Sequence, residues 1–216
     1  MAPVIINFKT IGLREFLRSY PGMALRPADG NELIIEGWFD FKAKAEKYSE
    51  VSDGYLLRIR IPSIFPRDLP TVYELGRRIP RDGHYHVNGD GSLCLGSRLR
   101  VLQKLSRVPT LGGFSENCLV PYLFAVSHKL TYGGDFPFGE LAHGLTGELM
   151  DYIELFGVKT MEQARMAVKC LGMRERVANK LPCPCGCGRR LGRCRFNLEI
   201  KELRRLTNRE WFRSLV

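Results

Sequence analysis

The chain is predicted to fold as an α+β domain with helices segregated from an antiparallel sheet. Three observations lead there. A short helical pattern comes first, alternating apolar runs follow between residues 33 and 75, and helical periodicity dominates from residue 118 onward. A cysteine-rich stretch and a basic segment close the sequence and read as an appendage to that domain.

In chain order, Thr10 is placed to cap a helix reaching about Tyr20, with Leu13, Phe16 and Leu17 on one side and Pro21-Gly22 as its stop. Residues 33–41, rich in Ile, Trp and Phe, form one expected strand. Residues 55–61 form another, because Leu57, Ile59 and Ile61 alternate with Arg58 and Arg60. Asp53-Gly54 is the expected loop between them, which makes the two strands antiparallel. Residues 71–75 supply a third strand after the proline-rich stretch 62–70, which cannot continue a central strand because proline has no N–H to donate.

Residues 81–96, dense in Gly, Asp and Asn, are expected as an irregular loop. Helices are expected over 118–130, 140–156 and 161–171, the second carrying Leu145, Leu149, Tyr152 and Ile153 on one stripe. Residues 180–196 read as a cysteine knuckle and 198–215 as a basic terminal helix. The domain boundary is placed between a body of residues 1–172 and a tail of residues 173–216.

With 216 residues, 44% of them apolar and 26% charged, the chain can bury a sizeable core, and whole-chain disorder is excluded. The longest apolar run, residues 118–126, is far shorter than the roughly 20 residues of a membrane helix. The first eight residues do not read as a signal peptide, so a soluble cytoplasmic protein without a membrane partner is expected. The net charge of +10 is uneven: residues 174–216 hold 12 Lys/Arg against 4 Asp/Glu, whereas the remainder is nearly neutral. Such a tail suits an acidic partner, either nucleic acid or an acidic protein face, and equally a solvated basic surface. Four of the seven cysteines fall between residues 183 and 194, a clustering that favours a metal over disulfides in a reducing compartment.

The most informative segment is His84-Tyr85-His86-Val87-Asn88-Gly89-Asp90-Gly91-Ser92-Leu93-Cys94-Leu95, in which one cysteine closes a glycine-punctuated loop. A thiol so placed can reach a partner's thioester, and attack requires the thiolate. Cys118 and Cys170, inside helical patterns, are expected to be buried structural cysteines. The segment resembles the signature of the ubiquitin-conjugating enzymes, which runs His-Pro-Asn, an aliphatic residue, three variable positions, Gly, one position, an aliphatic residue, Cys and Leu. His84, Val87, Gly91, Leu93, Cys94 and Leu95 match it without a gap. Upstream, Phe65-Pro66, Pro70 and Val72 stand in the family's arrangement, and the resemblance covers residues 10 to 157.

The resemblance implies a meander sheet between N-terminal and C-terminal helices. It also implies that Cys94 accepts a protein C-terminus as a thioester and passes it to an amine. The sequence lacks a Gly-x-x-x-x-Gly-Lys-Ser/Thr loop and a Gly-x-Gly-x-x-Gly after a strand, so no nucleotide cofactor is expected. An activating enzyme, or another source of an activated C-terminus, must then load the thiol.

Three departures stand out: Tyr85-His86 replaces Pro-Asn, the interval from Pro70 to His84 is longer than usual, and no Trp closely follows the cysteine. They make the chain similar to divergent bacterial carriers of antiphage operons, whose implied partner is a cGAS-like nucleotidyltransferase or a ubiquitin-like protein. The C-terminal knuckle and the run from Pro137 to Gly144 are similar to that set too. His86 occupies the place of the family's oxyanion donor, where an imidazole can donate a hydrogen bond or deprotonate the incoming amine. Asn88 is an alternative donor if the loop is rearranged, His84 is expected to brace the loop, and His143 is a candidate neighbour.

Cys183-Pro184-Cys185-Gly186-Cys187-Gly188-Arg189 with Cys194 offers four thiols to one ion, and tetrahedral zinc accepts four thiolates. The segment resembles the SEC-C motif, with Cys183, Cys185 and Cys194 at the family spacing. Arg195 stands where the fourth ligand is expected, and Cys187 is an extra thiol at a variable position, so either Cys187 completes the site or the site is incomplete. A Zn2+ ion held by four protein ligands would be structural, folding a basic surface that includes Arg189, Arg190, Arg193 and Arg195. A free thiol cluster or an oxidised pair is the other reading. Two further functions compete with the carrier: a non-catalytic basic zinc-knuckle module that binds nucleic acid or an acidic protein, and a cysteine hydrolase using Cys94 with a histidine.

Overall fold

A computed structural model describes residues 11–27, 32–139 and 144–215. The fold is α+β, as expected. The described chain divides into two compact units: residues 11–96 with 104–139, and residues 97–103 with 144–215. The boundary drawn from sequence after residue 172 does not coincide with this division, in which the helices preceding the knuckle belong with it. Among the described residues no helix is long and apolar enough to cross a membrane.

The first unit opens with helix α1 (Leu13–Ser19), which buries Leu13 and Phe16. Its N-cap is Gly12, in the left-handed region at φ 69° and without a side-chain cap, and the expected cap Thr10 lies outside the described residues. Strands β1 (Met23–Arg26), β2 (Leu33–Ala43), β3 (Val51–Ile61) and β4 (Thr71–Glu74) follow as one antiparallel sheet in sequence order. Alternation places Ile35, Phe39 and Phe41 of β2 with Tyr55, Leu57, Ile59 and Ile61 of β3 on the buried face. Sequence reading missed β1, since its four residues are too few to establish a period and only Met23 is buried.

Asp53-Gly54 is not the turn between β2 and β3, correcting the expectation. Both residues lie inside β3, with Phe41 opposite Asp53 and Asp40 opposite Gly54, and the connection runs over residues 44–50. Gly54 sits beneath a close approach: a Cβ there would meet Trp38 Nε1 at 2.5 Å and Asp40 Oδ1 at 2.6 Å, so these side chains would have to shift. Asp53 points to the buried face as the hub of a polar cluster. Its carboxylate accepts from both terminal nitrogens of Arg78, at 2.6 and 2.8 Å, and from Ser127 Oγ at 2.7 Å. Ser127 Oγ in turn lies 2.7 Å from the Tyr55 hydroxyl, and the Arg78 guanidinium sits 4.7 Å from the centre of the Tyr55 ring.

Helix α2 (Arg98–Arg107), unexpected from sequence, passes from the second unit into the first. Helix α3 (Leu111–Phe114), a π-helical stretch (Ser115–Leu119) and helix α4 (Val120–Tyr132) then continue without a break. The expected helix over 118–130 is therefore the later part of a longer one that Thr110 caps through the Gly113 N–H.

The second unit contains α5 (Gly144–Phe156), α6 (Met161–Gly172), α7 (Glu175–Ala178), α8 (Phe196–Arg204) and α9 (Arg209–Arg213). On α5, Leu149 and Tyr152 are buried but Leu145 is exposed, so the stripe is shorter than expected. A capping box between Thr160 and Gln163 starts α6. The single terminal helix expected over 198–215 is two helices, because Asn208 caps a new one by accepting the Trp211 N–H at 2.9 Å. Arg204 and Arg213 donate to the carbonyls of Cys170 and Gly172 at the end of α6. Part of the positive charge of the tail thus neutralises a helix C-terminus.

Candidate functional site

The cysteine loop of the first unit is fastened to the end of the sheet. Leu93 N–H donates to Val72 O of β4 at 2.8 Å, and Tyr73 and Ser92 form an antiparallel bridge. Leu93 is buried and the next residue, Cys94, is partly exposed. Cys118 and Cys170 are buried, as expected, and burial pushes the Cys118 thiol up to about 11.

The loop is ordered by its own polar residues. Asp90 accepts from Ser92 Oγ at 2.6 Å and from Ser92 N–H at 3.0 Å, and these two bonds hold its carboxyl below the usual range. Asn88 N–H donates to Ser92 O at 2.8 Å, and the Asn88 side-chain amide donates to Ser92 Oγ at 3.0 Å. That amide is engaged within the loop in this arrangement. His84, Tyr85 and Gly83 form one turn of 3₁₀ helix, closed by His86 in the left-handed region at φ 52° and ψ 47°. Few non-glycine residues adopt that conformation. Here the His86 N–H donates to Gly83 O, the His86 ring stands edge-on to Phe136 at 4.9 Å, and the His86 carbonyl accepts the Cys94 N–H at 2.8 Å. His86 and Cys94 are therefore joined through the backbone. His84 is exposed, and its carbonyl accepts from Lys129 Nζ at 2.9 Å. His143 lies outside the described residues.

Tyr122, Lys129 and Phe136, which sequence reading did not connect to this loop, all touch its turn. Tyr122 Oη donates to Tyr85 O at 2.7 Å, and Lys129 Nζ lies 4.8 Å from the centre of the Phe136 ring. The only signal in the sequence was the seven-residue spacing of Tyr122 and Lys129, which puts both on one side of a helix.

The second unit holds the cysteine knuckle. Cys183 Sγ lies 3.2 Å from Cys185 Sγ, and Cys194 Sγ lies 3.6 Å from the sulfurs of both Cys185 and Cys187. All four sulfurs fall within 4.8 Å of one another, so Cys187 joins the other three. Four sulfurs about 2.3 Å from a tetrahedral ion stand ~3.8 Å apart, whereas a disulfide needs about 2.05 Å. The four cysteines are free and spaced to hold a metal ion.

Backbone amides support the sulfurs in steps of two residues. The N–H of Cys185 points to Cys183 Sγ, that of Cys187 to Cys185 Sγ and that of Arg189 to Cys187 Sγ. The Arg189 N–H, with help from Cys185 and the Arg189 side chain, holds the exposed Cys187 thiol down at about 6, while burial pushes Cys183 up. Gly186 and Gly188, at φ 78° and 73°, provide the left-handed turns that this stepping needs. No family model, curated protein or solved structure matches the chain.

Proposed function

We propose that the protein is a ubiquitin-conjugating-like acyl carrier that takes a protein C-terminus on Cys94 as a thioester and transfers it to an amine. One observation supports this most: Cys94 is a partly exposed cysteine at the end of a loop hydrogen-bonded to a four-stranded antiparallel meander, while the cysteines of α6 and of the π-helical stretch are buried. The element order, a helix, a meander, a cysteine loop and then helices, agrees with what the resemblance implies. The finer assignment, to bacterial antiphage conjugation of a cGAS-like nucleotidyltransferase or a ubiquitin-like protein, rests on that resemblance alone.

In the proposed chemistry the Cys94 thiolate attacks the thioester carbonyl of a loaded partner, forming an S–C bond as the partner's thiolate leaves. An amine then attacks the same carbon, Cys94 departs as thiolate, and the amine gives up a proton. His86 is the nearest candidate by sequence for donating to the oxyanion or accepting that proton.

For the knuckle we propose a structural zinc ion held by Cys183, Cys185, Cys187 and Cys194, for which the thiol set and its amide support are suited. With four protein ligands, such an ion would contribute folding energy and leave no open position for substrate.

Co-expression with the genes adjoining it, followed by denaturing gels, tests the carrier. A thiol-cleavable adduct is expected on the wild-type chain, and Cys94→Ser should convert it into a thiol-resistant oxyester. Absence of both, together with salt-sensitive binding of RNA or DNA, would favour the binding-module reading, which the exposure of Arg189, Arg190, Arg193 and Arg195 also supports.

A further inference from the structure

Three consecutive carbonyls of the turn before Cys94 accept hydrogen bonds from three different places. His84 O accepts from Lys129 Nζ at 2.9 Å, Tyr85 O from Tyr122 Oη at 2.7 Å, and His86 O from the Cys94 N–H at 2.8 Å. Tyr122 and Lys129 both belong to α4, seven residues or two helical turns apart, so they project from one side of it. Lys129 Nζ also sits 5.4 Å from the centre of the Tyr85 ring and 4.8 Å from that of Phe136, an arrangement that holds the ammonium over the turn.

We propose that Tyr122 and Lys129 are positioning residues for Cys94, gripping the turn at His84 and Tyr85 so that the His86 carbonyl keeps the cysteine's backbone in place. His86 holds a left-handed conformation that a non-glycine residue adopts only when its surroundings over-determine it. Its N–H bond to Gly83 O, at 3.1 Å, fixes one side of the turn. The two α4 donors fix the other, at the carbonyls immediately before it. Tyr122 is 7% exposed, so its hydroxyl has little access to water as an alternative partner. Burial first, and the nearby Cys94 second, push the phenol well above its ordinary value, which keeps it a protonated donor wherever a thiolate can form.

The importance of this grip for acyl transfer rests on the carrier reading, but its structural content does not, and one set of variants separates the two. Amide hydrogen exchange of the full chain is read by NMR in the wild type, Tyr122→Phe, Lys129→Met and Lys129→Arg. Exchange at Cys94 and His86 is expected to quicken by about tenfold in Tyr122→Phe and Lys129→Met. The amides of Phe39 and Ile59 should stay as they are, and Lys129→Arg, which keeps a cationic donor, should restore most of the protection. If Tyr122→Phe fails to fold, the Lys129 pair carries the test. Unchanged exchange at Cys94 in the variants that fold, or an equal rise at Phe39 and Ile59, would overturn the proposal. A wild type that forms no thioester, yet shows this local pattern, would end the carrier reading and leave the positioning role standing.

Discussion

Cys94 differs from the two buried cysteines by its surroundings. At pH 8 a thiol pushed up to about 11, as Cys118 is, holds about one thiolate per thousand molecules, and burial adds a steric barrier. Limiting iodoacetamide on the native protein in the presence of added zinc should therefore alkylate Cys94 at least about tenfold faster than Cys118. Peptide mapping by mass spectrometry reads the ratio, and equal rates would show that Cys94 has no distinctive access. At this scale the sequence was partly legible. The glycine-rich setting singled out Cys94, and helical periodicity marked Cys118 and Cys170 as interior. Tyr122 and Lys129 left no sign beyond their seven-residue spacing, because their roles depend on contacts with backbone carbonyls some forty residues away, and a carbonyl leaves no trace in residue identity.

Among the elements, β3 carries the clearest electrostatic commitment. Partial burial opposes ionisation of Asp53, but hydrogen bonds from Arg78, Ser127 and the Gly54 N–H outweigh it, and the carboxyl is held below its ordinary value. A carboxyl depressed in the folded state stabilises the protein above its unfolded value, near pH 4, and loses that contribution as the pH falls through the folded value. Asp53→Asn should lower stability at pH 7 by about 2 kcal/mol. It should also flatten the decline in stability below about pH 4. Urea titrations at several pH values check both, and parallel acid limbs for variant and wild type would contradict the assignment. The misplaced Asp53-Gly54 turn has the same origin. That dipeptide is a strong turn signal, but here Gly lies under Trp38 and Asp is held by Arg78 and Ser127, tertiary partners that outweigh local preference.

The knuckle is the element most legible from sequence, since four thiols within twelve residues leave few alternatives. The structure adds Cys187 to the set, a point the spacing alone left open. Metal analysis of the purified chain should find about one ion per molecule. Cys194→Ser should reduce retention and lower the melting temperature by several degrees, since binding energy at a structural site is folding energy. Gly186→Ala should also destabilise it, because the residue sits at φ 78° and a Cβ would lie 2.7 Å from Gln163 Nε2. A chain that holds no metal and melts identically after chelation would remove the site.

At the level of the whole molecule, the α+β class and the strands β2, β3 and β4 follow from apolar runs and a proline stop, whereas the antiparallel pairing of β2 with β3 was expected from an Asp53-Gly54 loop and is made instead by the connection over residues 44–50. What escaped notice was short or polar: four-residue β1, arginine-rich α2, and the break that Asn208 makes between α8 and α9. The charge of the tail also reads differently in three dimensions. Arg204 and Arg213 donate to the C-terminal carbonyls of α6, while Arg174, Arg176, Lys180 and Arg209 are exposed as the knuckle arginines are, so the basic surface extends beyond the knuckle.

The most direct test of the central claim is to incubate the purified full chain with a synthetic peptide carrying a C-terminal thioester, then record intact mass under denaturing conditions. The expected result is one added acyl group on Cys94, removed by neutral hydroxylamine or by excess thiol and missing from Cys94→Ala. An adduct of the same yield on Cys94→Ala, or none on the wild type while the peptide thioester remains intact, would contradict a carrier role for this sulfur.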